Sequence, residues 1–210
     1  MKTGNMFFVK AAAVLIALST STMAFAQERS VGGLFVEPGV TYERGDTTID
    51  YPSPFQNSTG SANGLGLMGR LGVHVHEIVF LGLDARYAMP HFKDSAVSYD
   101  ADATSFNWGP VVGIQTPLLG IRVWGNYVAG GNLDPKKSGN LDVKFEESTG
   151  YRVGAGLHWL MLSINLEYQN LKYGKAVLES IGGFNAGETF SSVKPKNESW
   201  ILSVSFPLEI

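Results

Sequence analysis

Seven charged residues of this 210-residue chain fall where strand patterning would turn them inward: Glu37, Arg70, Asp84, Arg86, Arg122, Arg152 and Glu167. Arginine is the cation suited to such places, because its planar guanidinium forms forked hydrogen bonds to carboxylates, whereas an unpaired buried charge is expensive. These seven are expected to form an interior charge network. In a narrow lumen the network acts as a structural plug; the sharper alternative is a gated ion path in which the pairs exchange partners. Trp124 shares the inward face and would obstruct the lumen further. His74 and His76 form an H-x-H pair and His158 points the same way, but their strands stand on opposite walls, on the order of 15 Å apart. They are expected to be structural, with no metal site and no cofactor. His91, Phe92, Lys93, Asp94 and Ser95 bring a base, an acid and a hydroxyl into five residues, which could serve acyl chemistry only if the base reaches the hydroxyl.

The elements that position these groups are eight stretches in which apolar and polar residues alternate. The apolar sets run Leu34, Val36, Pro38, Val40, Tyr42; Leu65, Leu67, Gly69, Leu71, Val73, Val75; Val79, Leu81, Leu83, Ala85, Tyr87; and Phe106, Trp108, Pro110, Val112, Ile114. They continue as Leu119, Ile121, Val123, Gly125, Tyr127; Tyr151, Val153, Ala155, Leu157, Trp159; Leu162, Ile164, Leu166, Tyr168; and Trp200, Leu202, Val204, Phe206, Leu208. Period two means strand, because successive side chains leave a strand on opposite sides. No charge falls on the apolar parity. Segments of roughly ten such residues separated by turns are what a membrane-spanning β-barrel requires.

A soluble barrel would turn the apolar face inward, so the polar face decides between the two. It carries Gly66, Gly72, Gly82, Gly109, Gly113, Gly120, Gly154 and Gly156, which make little sense facing water but make room inside a narrow barrel. Lysine is expected only in loops and at strand ends. Aromatic placement agrees: with the first strand running outward, Tyr42, Tyr87, Phe106, Trp108, Tyr127, Tyr151, Tyr168 and Trp200 come to the external end, and Trp159 and Phe206 to the periplasmic end. Two girdles of this kind mark the membrane interfaces. The external loops are then long, at 44–63, 90–104, 130–149 and 174–198, and the internal turns short, at 76–77, 116–118 and 160–161.

The N-terminus carries Lys2 and Lys10, an apolar run from Ala11 to Leu18 and the small-residue site Ala24-Phe25-Ala26. Residues 1–26 are expected to be a secretory signal peptide and 27–210 the barrel domain. Removing the two lysines leaves 14 basic against 19 acidic residues, a net charge of −5. Mild acidity without a clustered basic face argues against a nucleic-acid partner. With no cysteine in an exported chain there is no disulfide framework.

Trp200, Leu202, Val204, Phe206, Leu208 and Ile210 alternate to the terminal residue. That run looks like the C-terminal assembly signal read by the outer-membrane insertion machinery, although its last residue is Ile210 where the pattern usually has an aromatic. With the signal peptide, eight strands and short inner turns, the mature chain resembles the small outer-membrane barrels of the OmpA-like and OmpX-like group. The resemblance implies an eight-stranded antiparallel up-and-down transmembrane β-barrel in the outer membrane of a Gram-negative envelope. It is expected to lack the peptidoglycan-binding domain of OmpA-type proteins. The function expected is non-enzymatic: envelope integrity and surface interaction through the external loops. A narrow channel for ions or small solutes is the first alternative, and a lipid A-modifying enzyme built on the His91–Ser95 segment the second. Expected partners are outer-membrane lipids, lipopolysaccharide and the insertion machinery, with the barrel a monomer. Lys136, Lys137 and Lys144 beside Asp134, Asp142, Glu146 and Glu147 either keep a hairpin solvated or meet lipopolysaccharide phosphates and their bridging cations.

Overall fold

A computed structural model describes residues 33–50, 57–75, 78–94, 99–116, 120–182 and 184–210, with backbone alone at 184–186. The expected signal peptide, His76, Glu77, Ser95, Pro117, Leu118 and Leu119 lie outside the described residues. Antiparallel strands make up the fold: β1 Leu34–Asp50, β2 Ser58–Val75, β3 Val79–Asp94, β4 Tyr99–Gln115, β5 Ile121–Val128, β6 Gly130–Pro135, β7 Leu141–Trp159, β8 Leu162–Ile181, β9 Phe184–Phe190, β10 Lys194–Ser205 and β11 Leu208–Glu209. Consecutive strands pair from β1 to β4 and from β7 to β8, β5 and β6 both pair with β4 and β7, β9 and β10 both pair with β8, and β1 pairs with β10 and β11 as well as with β2. The ladder therefore closes on itself. Eight staves result, since β5 and β6 form one stave and β9, β10 and β11 another, and among the described residues closure removes the sheet edges except along β9, which pairs with β8 alone. The chain is an eight-stranded antiparallel up-and-down β-barrel.

Its surface is inverted relative to a water-soluble barrel. Leu65, Leu71, Leu83, Val112, Val123, Val153, Ile164 and Leu202 all point outward, and Leu71 leaves 55% of its surface exposed. On the other parity Glu37, Arg70, Asp84, Arg122 and Arg152 are buried. An apolar band around a polar interior is stable only with lipid outside, which makes this a barrel of the transmembrane type. Outward rings collect at one level: Tyr87 pairs with Phe106, Tyr127 with Tyr151, and Tyr168 with both Val153 and Trp200. Tyr151, Tyr168 and Trp200 touch in sequence, with centroids 6.3 and 5.4 Å apart. Tyr42 and Trp108 also face outward, and Trp159 sits at the short turn of the opposite end.

The four long external loops are a correction. Most of 44–63, 90–104, 130–149 and 174–198 is strand, so β1, β2, β3, β4, β7 and β8 run 16 to 20 residues where a bilayer needs about 10. The apolar parity changes sides beyond the aromatic level, which hid these segments from a search for outward apolar residues. In β3, Leu81, Leu83, Tyr87 and Met89 face out, but farther along Phe92 faces in while His91 and Lys93 face out. In β1, Ile49 is buried and Arg44 exposed. In β7 the side swap is abrupt, because Glu147 adopts the left-handed conformation at φ 58° and puts both Phe145 and Ser148 inside. Lysine is not confined to loops and strand ends either: Lys93, Lys144, Lys172 and Lys175 lie within strands, all in this extension, where no lipid opposes a charge.

Two smaller differences have local causes. The last stave is broken between Ser205 and Leu208 because Pro207 has no N–H to give the ladder. Its register nonetheless continues, since Phe206 N donates to Pro38 O at 2.8 Å and Val36 pairs with Leu208. Trp200, Leu202, Val204, Phe206 and Leu208 thus stay in line, and Ile210 N reaches Leu34 O at 2.9 Å. The fifth stave slips by one residue at Ala129, so that Val112 faces Gly125 but Trp108 faces Gly130.

Replacing Leu71 by Arg puts a charge in the apolar band and should cost about 2 to 4 kcal/mol. Asn140→Arg, in the exposed turn between β6 and β7, should be nearly neutral. Urea unfolding in lipid vesicles measures both, and equal costs would contradict an apolar band seated in lipid.

Candidate functional site

The lumen is layered. At the short-turn end Phe35, Phe80, Val111 and Trp124 form a buried apolar floor. Gly72, Gly113 and Gly154 make room for it: a Cβ at these positions would stand 2.7 Å from the Phe35 ring, 2.3 Å from the Phe80 ring and 2.5 Å from the Trp124 ring. Gly120, expected in a strand, instead turns the chain at φ 62°. His74 packs on Phe35 at 4.7 Å between centroids, and His158 Nδ1 lies 3.0 Å from Ser163 Oγ. No cluster of three metal-ligating residues occurs among the described residues.

All seven predicted interior charges are buried above this floor and joined by hydrogen bonds. Arg122 donates through Nη1 and Nη2 to the two Glu37 oxygens, both at 2.8 Å. Arg86 Nη2 reaches both Glu167 oxygens at 2.7 and 2.5 Å. Asp84 links the rest, accepting from Arg70 at 3.1 Å, Arg86 at 3.1 Å and Arg152 at 2.9 Å. Arg70 also approaches Glu37 at 3.4 Å, and Ser205 Oγ donates to Glu37 at 2.6 Å. The topology gives these contacts their meaning. β5 stands four staves from β1, and β3 four staves from β8, so the Arg122–Glu37 and Arg86–Glu167 pairs cross the lumen along two perpendicular diameters. Below them Arg70 lies over the Trp124 ring at 5.0 Å and Arg122 over Phe80 at 5.1 Å, which adds cation–π attraction in a dry setting.

Beside these four cations and three carboxylates stands Glu43, joined to Arg152 through Gln169. Its carboxylate accepts from Gln169 Nε2 at 3.0 Å and Ser199 Oγ at 2.7 Å. Gln169 in turn accepts from Arg152 Nε at 2.6 Å, and Asn107 accepts from Arg152 Nη2. Sequence reasoning missed Glu43, Gln169 and Asn107, although all three share the inward parity of Glu37, Glu167 and Gly109. Parity alone would have found them.

The five-residue segment 91–95 does not assemble as a unit. His91 faces outward between Asp100, 2.6 Å from Nε2, and Asp102, 3.1 Å from Nδ1. Asp94 is buried inside the barrel and accepts from Ser58. Residues of a strand whose parities differ point to opposite faces, so His91 and Asp94 are kept apart. The charged residues near 134–147 pair locally, Lys144 with Glu146 at 3.1 Å, Lys136 with Asp102 at 3.7 Å and Glu147 with Lys175.

No family model matches the chain, and no curated protein is detectably similar to it. Solved structures with a related chain path include Neisserial surface protein A, at 12% identity and TM-score 0.44, covering 83% of this chain and 99% of that one. The outer membrane protein OprG from Pseudomonas aeruginosa matches at 11% identity and TM-score 0.48, covering 85% and 97%. The outer membrane protease OmpT from Escherichia coli matches at 9% identity and TM-score 0.40, also covering 85% and 97%.

Two outcomes follow from this geometry. Asp84→Asn strips three buried guanidiniums of their shared partner and should cost about 3 to 5 kcal/mol, read as a lower urea midpoint of the heat-modifiable gel band. His91 lies beyond the aromatic level, and its bonds to Asp102 and then Asp100 raise its pKa above 6.5. The stabilisation from that protonated ring is complete below the ordinary histidine value and is lost as pH rises through the folded one. An NMR titration of the His91 ring should therefore give a midpoint above about 6.5, and His91→Gln should remove this step in stability.

Proposed function

We propose that this chain is a closed, non-enzymatic outer-membrane barrel that contributes to envelope integrity and holds a β-walled extension at the cell surface. The observation that carries the reading is the pair of ion pairs crossing the lumen on perpendicular diameters, with Trp124 and Phe80 beneath them. An eight-stranded barrel is about as wide as its own inward side chains, so such a layer obstructs the path for water and ions. The short turns then face the periplasm and the long strands the exterior, as outer-membrane barrels arrange them. Arg44, directly opposite Trp200, and Lys172, four residues past Tyr168, are exposed cations at and beyond the aromatic level, where lipopolysaccharide phosphates would lie. The in-register last stave, Trp200 to Leu208, is the segment offered to the insertion machinery, and the closed ladder supports a monomer.

A gated ion path is the second reading. Arg70 Nε, Arg86 Nη1 and Arg122 Nε are buried without a partner among the described residues, so the guanidiniums have spare donors with which to re-pair. Lipid A modification has less support, because His91 and Asp94 lie on opposite faces of β3.

Planar-bilayer recording separates the first two readings. The native barrel should show no reproducible conductance, whereas Glu37→Gln combined with Arg122→Gln should open brief steps by removing one lumen-crossing pair. Discrete steps from the native protein, altered when Arg70 or Glu37 is neutralised, would give the channel reading the lead.

A further inference from the structure

The extension beyond the aromatic level encloses an apolar chamber of about 330 Å³, separated from the short-turn end by the charged layer. Its wall is largely aromatic and aliphatic, with Ile49 from β1, Phe92 from β3, Tyr99 from β4, Phe145 from β7, Leu178 from β8 and Phe190 from β9. The Phe92 ring stands 5.9 Å from Tyr99 and 6.0 Å from Phe145, so ring edges and faces are offered from three staves. Two polar side chains at its border already have partners: Tyr99 Oη donates to Lys136 O at 2.9 Å, and Asp94 accepts from Ser58. Burial and the nearby Asp142 carboxylate push the Tyr99 phenol up to about 12. Apolar space of this kind is costly to leave empty and gains little from water.

We propose that this chamber binds a small, uncharged aromatic molecule of one or two rings from the external side. The size sets the class. An apolar protein cavity of about 150 Å³ accepts benzene, so roughly twice that volume suits a fused or substituted ring, and it lies at the small end of known ligand pockets. A peptide segment or a second copy would need an extended groove. The chain preceding β1 starts from the other end of the barrel, about 50 Å of strand away from Ile49. A compact chamber walled by rings also favours a flat ring over a long acyl tail, since offset and edge-to-face contacts add to area burial. The site depends on the extension and not on whether the plug conducts.

The test uses the protein reconstituted in lipid nanodiscs, with methyl-labelled Ile, Leu and Val followed by NMR during titration with naphthalene. The Ile49 and Leu178 methyls should shift saturably at submillimolar free ligand, while the lipid-facing Leu71 methyl moves only linearly as naphthalene partitions into the bilayer. Val143→Trp, which fills the chamber from β7, should weaken the saturable response at least tenfold. Leu178→Phe, a smaller filling change, should weaken it less; the heat-modifiable gel band verifies that both variants fold. Linear shifts of equal size at Ile49 and Leu71, or a saturable response unchanged by Val143→Trp, would overturn the proposal. Saturation by decanoate but not by naphthalene would assign the chamber to an acyl chain and overturn it as well.

Discussion

The charged layer across the lumen is the interaction on which the rest of this barrel depends. Lipid outside the wall gives polar groups no place to go, so every charge in the spanning part of a strand must turn inward. Inward space is narrow enough that Arg86, Arg122 and Arg152 reach carboxylates across the lumen, while Arg70 bridges Glu37 and Asp84 on its two neighbouring staves. Each ion alone would pay heavily for its desolvation, and only the shared hydrogen bonds through Asp84 and Glu37 offset that cost. The closed ladder and the layer support each other: closure brings β1 opposite β5 and β3 opposite β8, and the cross-lumen pairs tie those staves together.

A second constraint acts where the lipid ends. Past the Tyr87, Tyr127 and Trp200 level the medium outside becomes water, and the same staves continue with their chemistry turned inside out. Ile49, Ala62, Phe92, Ala101, Leu133, Phe145 and Leu171 fill the lumen there, while Arg44, His91, Asp100, Asp102 and Lys172 take the outer face. One barrel thus joins a membrane half with a polar core to a water-facing half with an apolar core. The chamber arises in the second half because its wall is apolar and its cross-section is not bridged by ion pairs.

Much of this was legible beforehand. Period-two alternation located all eight staves, and the charge-free parity identified the lipid face; Glu37, Arg70, Asp84, Arg86, Arg122, Arg152 and Glu167 could be assigned to the interior from parity alone. The extension was not legible by the same criterion. Outward apolar residues cease to mark a strand once water replaces lipid, so Lys144, Lys175 and Asp100 read as loop residues although the ladder carries them. Glu43 was overlooked for a related reason, because it stands one residue past Tyr42, where the apolar set ends.

The sequence by itself determined the strand type, the face each side chain takes and the identity of the buried charges, because those follow from a local period of two and from the cost of charge in lipid. Which guanidinium meets which carboxylate was decided by the tertiary structure. Partners such as Arg122 and Glu37, 85 residues apart, come together only through stave number, register and closure, which no local pattern encodes. The same holds for the apolar chamber. Its walls come from strand tips spread from Ile49 to Val193, and only the closed barrel brings them around one space.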